Sequence, residues 1–90
     1  MTVHYMIAGS RTAAKSTAIY DWGWHPDRLC GREGYRRPNG DFVIPVVDIQ
    51  YLCGIRPPSE IFLGYAWSAV RHIEPALFQL RAGGCTVHQS

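Results

Sequence analysis

Ninety residues, 47% of them hydrophobic and 18% charged, exclude a disordered tail and leave room for one globular domain, residues 1–90. Nine basic residues against seven acidic give a net charge of +2, too small for the charge of the whole chain to drive nucleic-acid binding. No run approaches the roughly 18 apolar residues of a membrane helix, and the start, Met1 to Tyr5, lacks a signal peptide's basic and apolar regions, so no membrane partner and a cytoplasmic location are expected.

In chain order, Val3 to Ala8 is a nearly continuous apolar run closed by Gly9-Ser10, which predicts a strand buried on both faces. The segment Gly9-Ser10-Arg11-Thr12-Ala13-Ala14-Lys15-Ser16 follows it and resembles the phosphate-binding P-loop of nucleotide hydrolases over those eight residues. The resemblance implies that Gly9, Lys15 and Ser16 bind a nucleotide: backbone N–H groups and the lysine around the phosphates, the serine on Mg²⁺. Ala14 stands where that motif has its second glycine. Phe42 to Asp48 is similar to the apolar strand ending in Asp that such proteins use around the metal, with Pro45 interrupting it.

Between residues 12 and 22 two patterns compete: Ala14, Ala18 and Trp22 fall at helical spacing, whereas Ala18, Tyr20 and Trp22 alternate as on a strand. Gly23 to Gly34 has no periodicity and reads as a long loop, a common place for function. Tyr35-Arg36-Arg37 and Phe42-Val43-Ile44 flank the turn signal Pro38-Asn39-Gly40-Asp41, which predicts a β-hairpin around residues 35–44. Pro45 argues for a bulge or an edge, with Val46 to Leu52 resuming as strand or short helix.

Arg56-Pro57-Pro58 ends that piece, and Ser59 is placed to cap a helix from Glu60 whose Leu63, Ala66, Trp67, Val70 and Ile73 share one face. Pro75 breaks or restarts the helix, so that a C-terminal helix covers about 60–82, and Gly83-Gly84 stops it as a left-handed cap. Cys85 to His88 reads as a last short strand. The expected fold is α+β, a small mixed β-sheet with the C-terminal helix packed on one face.

Three cysteines at irregular spacing fit neither a disulfide framework nor a four-cysteine zinc module, and Cys53 and Cys85 read as small buried hydrophobes. His25 with Cys30 and Cys85 with His88 are the pairs from which a tetrahedral zinc site could be assembled. Cys30, between Arg28 and Arg32, is the candidate nucleophile, with His25 as its base. No complete catalytic set is present, and no cofactor is expected.

The densest cluster spans Tyr20 to Arg37, where Trp22, Trp24 and Tyr35 interleave with Arg28, Arg32, Arg36 and Arg37. Trp, Tyr and Arg combine large contact area with a polar handle, so these seven residues are the expected partner-binding surface. The functional expectation is a non-enzymatic protein-binding module docking on a larger protein partner, a small inhibitor of the phage or mobile-element type. The alternative is a nucleotide- or nucleic-acid-binding domain using the P-loop-like segment or the arginine cluster.

Overall fold

Val3–Ile7 (β1), the first apolar run, lies at the centre of a six-stranded sheet because it is buried on both faces and paired on both edges. The structure, a computed structural model, describes residues 2–52, 54–55 and 57–89. The expectations for Cys53 and Arg56 lie outside the described residues. β1 runs parallel to Phe42–Val46 (β4) on one side and to Glu60–Leu63 (β5) on the other. Thr86–Gln89 (β6) adds parallel to β5, and Arg32–Arg36 (β3) and His25–Leu29 (β2) add antiparallel beyond β4, giving the order β2-β3-β4-β1-β5-β6. The expected mixed sheet is therefore present, with helices on both faces.

Alternation along the strands sends each residue set to its own layer. Met6, Ala8, Val43, Tyr35 and Phe62 form one core beneath the helix Arg11–Ser16 (α1), together with Ala14, Ala18 and Trp24. Ile7, Val46, Ile61 and Leu63 form the other beneath Ile73–Ala82 (α2), where they meet Leu77 and Leu80. The helical reading of residues 12–22 holds: Ser10 Oγ accepts the Ala13 N–H as an N-cap, and the helix continues as a π-helical turn over Thr17–Asp21. At the junction Thr17, fully buried, donates its hydroxyl to the Ala13 carbonyl and accepts the Tyr65 N–H, tying the wide turn to the end of β5.

Three expectations need correction. Gly23 to Gly34 is largely a second β-hairpin, β2 and β3 closed by the pair Leu29–Arg32 around Cys30-Gly31. Both turn residues have positive φ (51° and 81°), the two-residue turn that matches strand twist, here carried by Cys-Gly instead of the more recognisable Asn-Gly. Residues 60–63 are a strand, and Ser59 caps no helix; its hydroxyl donates to the Val3 carbonyl. The apparent helical stripe arises because a strand and the 3-10 turn Trp67–Ala69 are joined through Ala66 at φ 58°. Pairing on the open edge of β1 outweighs local periodicity, since each residue of β5 gains a core or a ladder partner there. Of the two alternatives for Pro75 the restart holds: it sits in the first turn of α2, where an N–H has no intrahelical acceptor. Gly84 (φ 95°) follows α2 as expected.

Pro45 lies inside the sheet and acts on one edge only. The Phe42 N–H reaches the Thr2 carbonyl and the Val46 carbonyl accepts from Ala8, so even-numbered residues of β4 point their backbone groups at β1. Val43 and Pro45 face β3, and the β3–β4 ladder ends after Tyr35↔Val43, short of the position where Pro45 would have to donate. The chain from Val46 to Leu52 finishes as the 3-10 turn Ile49–Leu52. No helix among the described residues is long and apolar enough to cross a membrane.

Candidate functional site

On the α1 face, the end of the sheet where β1, β4 and β5 begin carries an aromatic and ionic network. Phe62 lies at its centre: Trp22 and Trp24 meet it edge-on at 5.4 and 4.9 Å, His88 stacks on it at 5.0 Å, and the Arg37 guanidinium lies 5.0 Å from its ring centroid. The two indoles stack on each other at 4.8 Å, and Arg37 also covers Trp24. Trp24 and Tyr35 are only 5% and 8% exposed, so they are core, and Trp22 is half-buried against them. The expected outward-facing aromatic surface is thus corrected: in so small a chain the indoles supply core that aliphatic residues do not.

The polar groups beside these rings are saturated. His4, 2% exposed, accepts the Glu60 N–H at Nδ1 (2.8 Å), which leaves Nε2 to carry the proton donated to Asp41 Oδ2 at 2.8 Å. Glu60 takes His88 on one oxygen and Arg37 at 3.4 Å on the other. Burial pushes the Glu60 carboxyl up, but the His88 hydrogen bond and the positive neighbours outweigh it and hold the group below its usual range. Asp41 is held low by the bond from His4, against a smaller opposing effect of burial, and by the Thr2 N–H. Arg36 is committed on the other face, to Asp27 at 3.0 Å and over the Phe42 ring at 5.2 Å. Asp27 is correspondingly lowered, by the Arg28 N–H first and by Arg36 next.

The opposite end of the same face is open. Where the β3–β4 ladder stops at Pro45, the β2–β3 hairpin leaves the sheet, and a cleft of about 890 Å³ lies between it, α1 and β4. Gly34 lets the hairpin turn away so closely over β4: a Cβ there would come within 2.4 Å of the Val43 carbonyl oxygen and 2.6 Å of the Phe42 ring. Arg11 and Lys15 line the helical wall, Arg28 and Arg32 the hairpin wall. Arg28 pairs with Glu33 across the hairpin at 2.9 Å in an exposed contact. The side chains of Arg11, Lys15 and Arg32 have no hydrogen bond or ion pair among the described residues.

The structure therefore divides the seven expected contact residues. Arg28 and Arg32 line the cleft, Tyr35 reaches its floor, Trp22, Trp24 and Arg37 belong to the saturated end, and Arg36 is held by Asp27 over the Phe42 ring. Lys15, from the P-loop-like segment, joins the first two. Arg11 of that segment lines the cleft as well, whereas Gly9 and Ser16 do not. A Cβ on Gly9 would lie 2.7 Å from the Ala66 carbonyl oxygen, so the glycine permits contact between the turns after β1 and β5. Ser16 lies within the helix, and Asp48 accepts the Gln50 N–H in the turn after β4.

The zinc pairs do not meet: His25 and Cys30 belong to the β2 side and Cys85 and His88 to the β6 side, at opposite edges of the sheet. Among the described residues no three or more His, Cys, Asp or Glu side chains are placed to hold a metal ion. Cys30 is exposed in the turn, and His25 is at the far end of β2, about 16 Å away at strand rise, so the nucleophile and base are not brought together. Cys85 is buried, as expected.

Sequence reasoning missed Arg11, whose only signal was its position one helical turn before Lys15. It also missed the His4–Asp41–Glu60–His88 chain, whose members lie on four different strands or their flanks and carry no local spacing. Comparison with protein-family models, with curated proteins and with solved structures found no match.

Proposed function

We propose that this chain is a binding domain that holds phosphate groups of a nucleotide or nucleic-acid strand in the cleft between α1 and the β2–β3 hairpin. The observation behind this reading is that Arg11 and Lys15 of α1 and Arg28 and Arg32 of the hairpin line one cleft, three of these side chains without an acidic partner. A cation whose present partner is water exchanges it for phosphate without leaving a carboxylate behind, and arginine adds a fork that fits phosphate oxygens. Four cations against the two carboxylates of Asp27 and Glu33 concentrate the chain's net charge of +2 at one place. The aromatic–arginine end gives no such support for a protein-docking surface, because its charged groups already satisfy one another. A binding role also suits a site in which no nucleophile and base converge.

The test is fluorescence anisotropy with a labelled single-stranded oligonucleotide at about 50 mM salt. Lys15→Glu with Arg32→Glu is expected to weaken binding about tenfold or more while the circular dichroism spectrum is unchanged. With three or four phosphate contacts, log affinity should fall against log salt with a slope of about −2 to −3. A thermal-shift series with nucleotides and Mg²⁺ separates a mononucleotide ligand from a strand. Failure of both ligands to bind overturns the reading in favour of an acidic protein partner, and unaltered affinity in the double variant overturns the cleft.

A further inference from the structure

We infer that the outward face of α2 is a self-complementary surface through which two copies of this chain pair antiparallel, helix against helix. α2 buries Ile73, Leu77 and Leu80 toward the sheet, yet its opposite face presents Phe78 at 73% exposure, the most exposed phenylalanine side chain that the fold offers among its large hydrophobics. Lone exposed hydrophobics are common, but this one is set in a symmetric frame. Glu74 lies four residues before it and Arg81 three after, both on the same flank of Phe78 at 100° per residue, and neither side chain has a hydrogen bond or ion pair among the described residues.

A two-fold axis passing beside Phe78 preserves the flank and reverses the helix direction. It brings Phe78 against Phe78 of the second copy, and it sets Glu74, about 6 Å before the axis, opposite Arg81, about 4.5 Å after it, twice over. On the other flank the same operation places Pro75 against Ala82, two small side chains that let the helices approach. The charge order is what commits the face to an antiparallel second copy: a parallel two-fold pairing would set Glu74 against Pro75 and Arg81 against Ala82, leaving the charges unmatched, and the antiparallel one satisfies all four. A ten-residue helix is about 15 Å long, so the contact is smaller than a typical permanent interface and the association is concentration-dependent. The α1 face, with its cleft, stays free on both copies.

Sedimentation velocity over a concentration series reads this directly. The wild-type chain of 10.1 kDa should move toward twice that mass as concentration rises, and Phe78→Asp should stay monomeric with an unchanged circular dichroism spectrum. Glu74→Arg alone and Arg81→Glu alone should each be monomeric, whereas an equimolar mixture of the two variants should associate, because every charge in the mixed pair again faces its opposite. A wild-type chain that stays monomeric throughout, a Phe78→Asp chain that still associates, or a mixture no more associated than its components would each overturn the inference.

Discussion

The two ends of the α1 face are built from the same residue types and behave in opposite ways. At the end where the parallel strands begin, Arg37 lies over Phe62 and Trp24 and reaches Glu60, and the neighbouring His4, Asp41 and His88 are all hydrogen-bonded. At the other end, Arg11, Lys15 and Arg32 surround a cleft with no ionic partner. The difference teaches that an arginine beside aromatic residues is informative only once its partners are known. Arg37 is spent on stability, since a guanidinium covering a ring and meeting a carboxylate has little left to offer a ligand. Arg32 contributes nothing visible to the fold and is available.

The largest effect that would break this contrast is loss of Phe62, on which the saturated end is assembled. Phe62→Ala removes a ring contacted by both indoles, His88 and Arg37, and should cost about 3–5 kcal/mol in urea unfolding, enough to threaten folding of so small a chain. Arg37→Ala should cost less, about 1–3 kcal/mol, from a charged hydrogen bond and the ring contacts together. Arg32→Ala, at the open end, should change stability by no more than about 0.5 kcal/mol while weakening oligonucleotide binding. Equal stability losses for the two arginine variants would erase the distinction between the ends.

A pH titration sharpens the same comparison. Asp41 and Glu60 are both held below the usual carboxylate range in the folded chain, so the folded state favours their ionised forms. Their contribution is complete above the unfolded values, about 4, and is lost as pH falls through the depressed folded ones. The melting temperature should therefore hold steady from neutral pH to about pH 5 and fall below about pH 4, and Asp41→Asn should lower it at pH 7 while flattening that fall. An acid limb that is the same in wild type and Asp41→Asn would remove Asp41 from the linkage. The smallest effect is expected from Arg28→Ala: its pair with Glu33 is exposed on both sides, and such pairs contribute little to stability.

What could be read from residues alone was whatever depends on a few adjacent positions. The first strand, the Pro38-Asn39-Gly40-Asp41 turn, Gly84 after the last helix and the closing strand each follow from apolar runs or from the backbone freedom of particular residues. The β2–β3 hairpin was hidden because Cys30 adopts a left-handed conformation that its identity does not advertise. The strand at residues 60–63 was hidden because its spacing also satisfies a helix, and only the vacant edge of β1 selects between them. Of the candidate site, Lys15, Arg28 and Arg32 were legible as cations, but their convergence was not.

Residues alone therefore fixed the class of the fold and the supply of aromatic side chains and arginines. Tertiary structure alone decided which arginines meet carboxylates and rings and which face water. Ion pairing and burial act over a few ångströms in space, and the groups concerned, Arg37 and its partner Glu60 or the cleft cations Arg11 and Arg32, are separated along the chain by two dozen residues or so. Pro45 shows the two levels joined. Its missing N–H is a property of one residue, but the cleft it opens exists because that residue faces β3 and not β1.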